Sequence, residues 1–537
     1  MLASARLPTQ TMPTHSSSVT RALLVLLVVL VVGAPSLVYP FGRDQGEYAT
    51  VAKLTLEGRV SYRDVFNVKP PGTYLLHAFA LTVFGHSMQA IRWLDLLWQA
   101  ATALLLLGIA DRLGLGRRAA LLAPVLYSVA YYSNNFWNTA QTDGFLNLPT
   151  ALAVLAYLHA QDKGEQWAYA ASGAAIAVAV LFKYPIGILL PLLWVCAVLS
   201  HRYPWRAVVW MSVGCTLLLA ACAIWLHLQG ALVPFVESQY RYVTAYRSRD
   251  ILGYSQLVIL AAILMVQWAM TLLIVVGAVA AVTVWHAHRF EPTARAVLVA
   301  AAWYVAGVLS YIAQGKGYVY HSLPMLAPYA LLGAATADLP VGRTIAGRSR
   351  RLWLVGLTTV ILAFPATLYL GRMERSQAPL MLGRIALGQF KPQQICKVSA
   401  ALCEAGEPGF RFTDDLAAAE HIAARTMDTE PVFIWGFEPP IYFLAQREPA
   451  SRFIYNFVLF GDWDWPELRI QLLADLEHSP PRYIVVASDD ALPMVTGTDL
   501  DSRAALQTFP ELRHLIETDY TREVTFGYLT LYRRLGP

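Results

Sequence analysis

The sequence predicts a polytopic α-helical membrane protein that ends in a small α/β domain. Hydrophobic residues make up 56% of the chain and charged residues 14%, and the mean hydropathy is +0.45. Soluble proteins carry about 25% charged residues, so lipid is the expected solvent for most of the chain. The net charge of +5 is small for 537 residues and argues against a nucleic-acid partner. After about residue 390 the apolar runs shorten to strand length, which predicts the α/β domain.

Apolar stretches of about 20 residues are long enough to cross a membrane as helices. A polar tail, 1–21, precedes them and is predicted to be cytoplasmic. No convincing cleavage site follows the first stretch, so we expect an uncleaved span. The membrane domain is predicted to cover 22–375. About eleven spans are expected, at 22–41, 87–109, 119–132, 145–160, 167–182, 184–199, 206–229, 255–284, 296–313, 322–338 and 352–371.

The distribution of Lys and Arg over the short loops predicts the orientation. One set of loops is rich in arginine, including the loop 343–351. The opposite set holds no basic residue in 133–143, then Lys183 and Lys316. Loops 42–72 and 230–254 carry several basic residues and weaken the contrast. The bias favours a cytoplasmic N-terminus, with the second set of loops on the opposite side. We expect a bacterial inner membrane and call that opposite side the periplasm.

The first periplasmic loop, 42–72, holds the densest polar cluster of the chain. Asp44 and Glu47 are three residues apart, which places both carboxylates on one side of a helix. Such acids suit deprotonation of an acceptor hydroxyl or binding of a hard cation. The alternative is a helix N-terminus whose acids complement the dipole.

Helical spacing of apolar residues predicts that the same loop forms interfacial helices. Tyr48, Val51, Ala52 and Leu56 recur on one side, which predicts an amphipathic helix lying in the membrane interface. A second helix is expected to start at Gly72 and lead into the next span.

Lys69 stands before two prolines, which keep it out of a helix. A lysine fixed at the headgroup level suits a lipid phosphate. The alternative is a lysine that snorkels from a span end.

Three further polar residues fall in loops on the same side of the membrane. Asp143 is a second candidate acid, with a helix N-cap as the alternative. Lys316 and His321, between tyrosines, are candidates for holding phosphate and sugar, with an aromatic belt as the alternative.

Arg92 and Asp95 lie three residues apart within a predicted span and are expected to pair.

The C-terminal region, 390–537, is predicted to be a periplasmic α/β domain with a largely parallel sheet. Its expected strands are 431–435, 452–455, 483–487 and 528–532, and its expected helices are 414–427 and 466–477. Cys396 and Cys403 lie outside the membrane region, and a disulfide between them is left open.

The first loop resembles that of the C-type (GT-C) glycosyltransferases. The resemblance is carried by Arg43-Asp44-x-Gly46-Glu47-Tyr48 and by Asp64-x-Phe66-x-x-Lys69-Pro-Pro-Gly72. It is narrowest to bacterial relatives of the protein O-mannosyltransferases and of the lipid A aminoarabinose transferase. Gln141-Thr-Asp143 and the Tyr320–Pro328 segment are similar to later parts of the same family.

This resemblance implies a GT-C fold and an inverting transferase that uses a polyprenyl-phosphate sugar, such as mannose or arabinose. It implies that Asp44 is the catalytic base or the group that orients the acceptor, that Glu47 supports the site, and that Lys69 binds the donor phosphate. It also implies that Asp143 is a second acid near the acceptor or a metal. Arg43, Lys316 and His321 are further candidates for the phosphate. Adjacent Asp-Glu residues of the eukaryotic enzymes are separated here by Gln45-Gly46, which favours a lipid or glycan acceptor over a protein.

The expected partners are therefore the lipid-linked donor, a lipid, glycan or protein acceptor, and membrane lipids. No cofactor is certain; a divalent metal at Asp44 or Asp143 is left open. The alternative function is a transporter or flippase of lipid-linked sugars. A transporter would place ionisable residues near the membrane midplane, whereas most charges here collect at one interface.

Overall fold

The fold is taken from a computed structural model that describes residues 15–200, 204–248, 292–336, 366–373, 377–390, 394–403, 409–461 and 465–536. The predicted span 255–284, most of the span 352–371, the arginine-rich loop 343–351 and residues 1–14 of the tail lie outside these ranges.

The membrane domain begins with eleven labelled helices. They are α1 (His15–Gly33), α2 (Arg43–Leu56), α3 (Pro71–Phe84), α4 (Met88–Arg112), α5 (Arg117–Tyr132), α6 (Thr142–Phe145), α7 (Asn147–Lys163), α8 (Gln166–Val180), α9 (Leu189–Ser200), α10 (Pro204–Leu228) and α11 (Leu232–Ser248). The helices Pro292–Gln314 and Leu326–Thr336 follow. Each predicted span that falls on described residues corresponds to one of these helices, within several residues at each end. The helices α2, α3 and α11 lie outside the predicted spans, and α6 ends where one of them begins.

Four described helical segments are long and apolar enough to cross a membrane by themselves. They are Ser18–Val38, Met88–Arg112, Pro204–Leu228 and Val297–Gln314. Other apolar helices are shorter, such as Pro71–Phe84 and Gln166–Val180. The count of eleven spans stays a prediction.

Glycines allow two of the membrane helices to touch along their backbones. A Cβ at Gly173 of α8 would lie 1.9 Å from the carbonyl oxygen of Met211, and one at Gly214 of α10 would lie 1.9 Å from that of Ala170. Small residues at such crossings replace the hydrophobic driving force that lipid does not supply.

Helix α2 differs from its prediction as an interfacial amphipathic helix. Its residues from Gln45 to Leu54 are all buried. The C-terminal domain covers it: a Cβ at Gly46 would lie 2.2 Å from the Pro440 ring, and the Thr50 hydroxyl donates to the Pro439 carbonyl at 2.9 Å. The polar positions that suggested a wet face are instead covered by protein.

Arg92 and Asp95 do not form the predicted ion pair. The Arg92 guanidinium donates to the carbonyls of residues flanking two loops, namely Tyr39, Pro40, Phe136 and Thr139. One Asp95 oxygen accepts from Gln99 and from the Tyr131 hydroxyl. Arg92 therefore ties together the two loops at the start of α4 and does not sit unpaired at mid-membrane.

The C-terminal domain holds a four-stranded sheet of order β1-β2-β4-β3. The strands are β1 (Val432–Trp435), β2 (Tyr483–Ala487), β3 (Tyr520–Phe526) and β4 (Leu529–Arg534). Only β1 and β2 pair in parallel, and the other two pairings are antiparallel. The prediction of a largely parallel sheet is wrong because β3 and β4 form a hairpin that adds to the β2 edge.

Both predicted helices of this domain are present, one predicted strand is not, and β3 was not predicted. The expected helices are present as Phe412–Ala423 and Pro466–His478. The stretch 452–455 is buried but forms bends instead of a strand. The remaining helices of the C-terminal region are Ala378–Ala386, Ile395–Val398, Ala400–Cys403, Pro440–Ala445, Pro493–Thr496, Ser502–Gln507 and Pro510–Asp519.

A disulfide joins Cys396 to Cys403, with Cα atoms 5.6 Å apart. Cys196 of α9 and Cys215 of α10 are buried free thiols.

Candidate active site

A cavity opens where the first loop, two later loops and the C-terminal domain meet. Its acids and bases come from the first loop, and most of its remaining wall is aromatic or aliphatic. The lining residues are Arg43, Asp44, Glu47, Val68, Lys69, Trp137, Tyr242, Tyr246, Tyr318, Tyr320, Phe437, Phe457, Leu492 and Val495. The loops assigned to one side of the membrane from sequence thus converge on one place.

Gln45 fixes the start of α2, and with it the direction of Asp44. The Gly42 N–H donates to Gln45 Oε1 at 3.0 Å, which closes the helix N-terminus. The Gln45 amide also donates to three carbonyls of the second loop, those of Phe136, Trp137 and Thr139. An acid at this position would meet these carbonyls with no proton to donate.

Asp44 and Lys69 lie next to each other in the wall of the cavity. The Lys69 ammonium lies 3.9 Å from Asp44 Oδ1, and both side chains stay partly exposed, at 18% and 14%. Burial opposes the charged lysine, but Asp44, Glu47 and Asp143 outweigh it and raise the pKa of Lys69. Lys69 is therefore a stable cation beside an accessible carboxylate.

Glu47 lies deeper than Asp44 and one helical turn along α2. It is 1% exposed, and its Oε1 accepts a hydrogen bond from the Tyr74 hydroxyl at 2.9 Å. Burial raises the pKa of Glu47 to about 7, against the opposing effect of Lys69. Glu47 thus changes charge near neutral pH.

Asp143 is fully buried and held by two partners. Lys183 Nζ lies 3.1 Å from Oδ2, and the Gln314 amide donates to Oδ1 at 3.0 Å. Burial disfavours the charge, but the Lys183 ammonium and these hydrogen bonds lower the pKa of Asp143. Asp143 is the second residue of α6, whose N-cap is Gln141, so it is not the cap itself.

His321 and Lys316, two further candidates for the donor phosphate, are both buried side chains. Burial and the neighbouring Lys183 hold the pKa of His321 well below its usual value, so the imidazole is neutral. Lys316 Nζ donates to the Met494 carbonyl at 2.7 Å and lies 4.0 Å from the centre of the Tyr246 ring. Lys316 thereby joins the membrane domain to the C-terminal domain.

Arg43 is buried in an ion pair with the C-terminal domain. Its Nε and Nη2 donate to Glu438 Oε1 at 2.9 and 2.7 Å, and Nη2 also reaches the Gly409 carbonyl. Burial disfavours its charge, but Glu438 more than compensates and raises the pKa of Arg43. Its Nη1 is buried without a hydrogen-bond partner among the described residues.

Potential metal ligands do not cluster in the described part of the chain: no three His, Cys, Asp or Glu side chains come together there as a ligand set. Both oxygens of Asp143 already accept hydrogen bonds.

Sequence reasoning missed three residues of this site. Lys183, Gln314 and Glu438 each lie far along the chain from the acid or base they contact. For Lys183 a signal existed, since it is a lone basic residue between two apolar stretches on the side of the first loop. For Glu438 no local pattern distinguishes it from a surface acid.

Comparisons with known proteins agree with this architecture. Residues 68–227 match the family model described as dolichyl-phosphate-mannose-protein mannosyltransferase. The structure is similar to that of ArnT from Cupriavidus metallidurans bound to undecaprenyl phosphate, at 14% identity, covering 98% of this chain and 100% of that one, with a TM-score of 0.55. Comparison with curated protein sequences gives no match.

Two other solved structures share the fold. The Archaeoglobus fulgidus oligosaccharyltransferase tethered to an acceptor peptide is 12% identical, covering 97% of this chain and 74% of that one, with a TM-score of 0.52. The arabinofuranosyltransferase AftD from Mycobacteria is 14% identical, covering 98% of this chain and 40% of that one, with a TM-score of 0.51. The resemblance read from the first loop is confirmed, and the chain has the fold of the C-type glycosyltransferases.

Proposed function

We propose that this chain is an inverting glycosyltransferase that takes a sugar from a polyprenyl-phosphate carrier. The acceptor is a hydroxyl of a lipid, glycan or protein of the cell envelope. The observation that carries the proposal is the cavity itself, in which Asp44 and Lys69 lie side by side beneath aromatic rings. A base, a phosphate-binding cation and an apolar sugar platform are the three parts that this transfer needs.

The reaction step follows from this arrangement. The acceptor oxygen attacks the anomeric carbon from the side opposite the phosphate, and its proton passes to the Asp44 carboxylate. The bond between the anomeric carbon and the phosphate oxygen breaks, and its electron pair stays on that oxygen. Polyprenyl phosphate leaves with one more negative charge, which the nearby Lys69 ammonium stabilises.

Asp44 is a better base than Asp143 in this geometry. Asp44 lines the cavity, whereas Asp143 is not among the described residues that line it. Asp143 would also have to break its contacts with Lys183 and Gln314 before taking a proton. We assign Asp143 the role of holding Lys183, and through it the charge balance around the donor.

The donor phosphate is assigned to Lys69 and Arg43. Lys69 supplies a cation at the cavity wall. Arg43 lines the same cavity, and a phosphate oxygen would satisfy its unpartnered Nη1. The neutral state of His321 and the interdomain contact of Lys316 make these two residues part of the scaffold around the sugar.

The site is assigned to the periplasmic side of a bacterial inner membrane. The Cys396–Cys403 disulfide supports this side, because disulfides persist in oxidising compartments. A reporter fused after Pro537 should be active in the periplasm; activity confined to the cytoplasm would overturn the assignment.

A direct transfer assay tests the proposed function. The purified full-length protein is incubated with undecaprenyl-phosphate mannose, glucose or arabinose and with envelope extract as acceptor. Release of undecaprenyl phosphate and sugar incorporation are then measured against a variant that combines Asp44→Asn and Lys69→Ala. If the wild type matches this variant with every donor, the chain is not a transferase of this class.

The alternative of a transporter gains no support from the buried charges. Arg92 and Asp95 were the clearest charges predicted within a span. Arg92 bonds to loop carbonyls at the start of α4, and Asp95 accepts from Tyr131 near the same loops. Arg92 and Asp95 therefore both contact the loop end of α4.

A further inference from the structure

We propose that residues 436–440, which follow β1, belong to the active site, with Phe437 contacting the transferred sugar and Glu438 positioning Arg43 for the donor phosphate. The inference rests on the proposed function and extends it, because it assigns to the C-terminal domain a part in substrate selection. We call these five residues the β1 loop.

Glu438 holds one edge of the Arg43 guanidinium, and Arg43 is one of the residues that line the cavity. One Glu438 oxygen takes both Nε and Nη2, and the Gly409 carbonyl takes a second bond from Nη2. Since Arg43 lies beside Phe410, 5.2 Å from its ring centre, its plane is also restrained. Nη1 is then the group left for an external anion.

The β1 loop is docked rigidly on the helix that carries Asp44. The Pro440 ring occupies the space that a side chain at position 46 would need. The Thr50 hydroxyl bonds to the Pro439 carbonyl at 2.9 Å. These contacts flank the Arg43–Glu438 pair, so the loop and α2 form one unit and Phe437 is held at a fixed position over the cavity.

Phe437 is supported from behind by two other rings. It meets Tyr455 and Phe457 edge-on, at centre distances of 5.5 and 5.2 Å, and those two rings stack on each other at 4.3 Å. Phe437 and Phe457 both line the cavity. Apolar sites fix a ligand by shape together with a few polar groups, and a wall of this kind suits the C–H face of a sugar ring.

The position of this wall follows the general rule for open α/β sheets, in which ligands bind beyond the carboxyl ends of parallel strands. The β1 loop leaves the carboxyl end of β1. Leu492 and Val495, which also line the cavity, follow the carboxyl end of its parallel neighbour β2. The parallel pair of the sheet thus points its ligand-binding edge at Asp44.

The role of Phe437 is tested by substrate selectivity. Phe437→Ala is compared with Phe526→Ala, which removes the same side chain from β3 of the same domain, where the ring packs on His421. We expect Phe437→Ala to change the ratio of kcat/KM for undecaprenyl-phosphate mannose and arabinose by about tenfold, and Phe526→Ala to leave the ratio unchanged. An unchanged ratio in Phe437→Ala, with transfer still measurable, overturns the sugar contact.

The role of Glu438 is tested by a double-mutant cycle. Glu438→Gln should raise the donor KM about tenfold with a smaller change in kcat, since it weakens a charge-assisted contact to Arg43. In an Arg43→Gln background the same substitution should add no further increase, because Glu438 acts through Arg43. Equal increases in both backgrounds would overturn this role. Glu438→Asp keeps the charge and should recover part of the affinity.

Binding of undecaprenyl phosphate to the purified full-length protein separates the two possible failures. Glu523→Gln serves as the control, since Glu523 pairs with His421 and Arg533 within the C-terminal domain. If no donor is transferred by the wild type, the proposed function fails, yet Glu438→Gln should still bind undecaprenyl phosphate more weakly than Glu523→Gln. Equal binding by these two variants overturns the positioning role independently of transfer.

Discussion

The site contains two acid–lysine pairs that differ in tightness. Asp44 and Lys69 are 3.9 Å apart, line the cavity and keep part of their surface open. Asp143 and Lys183 are 3.1 Å apart, and the Asp143 carboxylate is fully buried, with Gln314 as a further partner. The Asp44 carboxylate is partly exposed and can accept a proton from a bound acceptor. Both oxygens of Asp143 already accept hydrogen bonds, so Asp143 fixes the positions of Lys183 and Gln314. The loose pair is therefore assigned to the chemistry and the tight pair to its support.

The largest expected effect on transfer comes from removing the proposed base of the Asp44–Lys69 pair. Asp44→Asn keeps the shape and abolishes proton acceptance, so we expect transfer to fall by about 10²–10⁴. Donor binding should be retained. The control is Asp64→Asn, which removes an acid of the same loop that pairs with Arg63 at the surface. Near wild-type turnover of Asp44→Asn, combined with an inactive Asp143→Asn, would exchange the roles of the two pairs.

Lys183→Met should affect folding more than the chemical step. It leaves Asp143 buried without its cation, and breaking a buried pair costs about 3–5 kcal/mol. Combining it with Asp143→Asn should recover much of that stability, since no uncompensated charge remains. Thermal unfolding of the detergent-purified proteins measures both. A single variant as stable as the double would contradict the tight pairing.

Lys69→Ala should weaken donor binding by about tenfold to a hundredfold, because a charge-assisted contact to phosphate is lost. Such a contact exists before and during transfer, so KM should change more than kcat. Lys53→Ala, on the same loop and paired with Glu57, is the control. An unchanged donor KM at full expression would remove Lys69 from the phosphate site.

The smallest expected effect concerns Glu47 and pH. Burial gives Glu47 a pKa of about 7, so it is neutral below that pH and negative above it. Donor affinity should therefore fall as pH rises through about 7, when a charge appears next to the bound phosphate. Glu47→Gln should remove this dependence, and Glu57→Gln, at the exposed end of α2, should keep it. A persistent inflection in Glu47→Gln would assign the titration to another group.

The sequence was informative where function depends on neighbouring residues. Some features can be recognised from a short stretch of sequence. They are the motif from Arg43 to Tyr48, the Lys69-Pro-Pro turn and the apolar stretches. The gathering of these loops at one end of the helices could also be predicted, since alternating spans bring them together. These features predicted the fold and the clustering of Asp44, Lys69 and Asp143.

Contacts between distant segments could not be predicted from local patterns. Arg43 and Glu438 are 395 residues apart. A Glu followed by two prolines is also compatible with a surface turn, so the local sequence does not indicate the ion pair. The burial of α2 escaped prediction for the same reason, because its cover comes from another domain. The strand β3 was missed since its exposed, charged residues carry little apolar pattern.

The contact between Gly46 and Pro440 has a consequence for the order in which the protein is made. At about 5–20 residues per second, α2 leaves the ribosome roughly 20–80 s before the segment that will cover it. Until then Arg43 and Glu47 lack the residues of the C-terminal domain that cover α2 in the finished protein. Catalytic competence is thus acquired only at the end of synthesis. A chain that stops before residue 440 would insert its helices and still lack a finished cavity, so the proposed transfer could begin only after the C-terminal domain has been made.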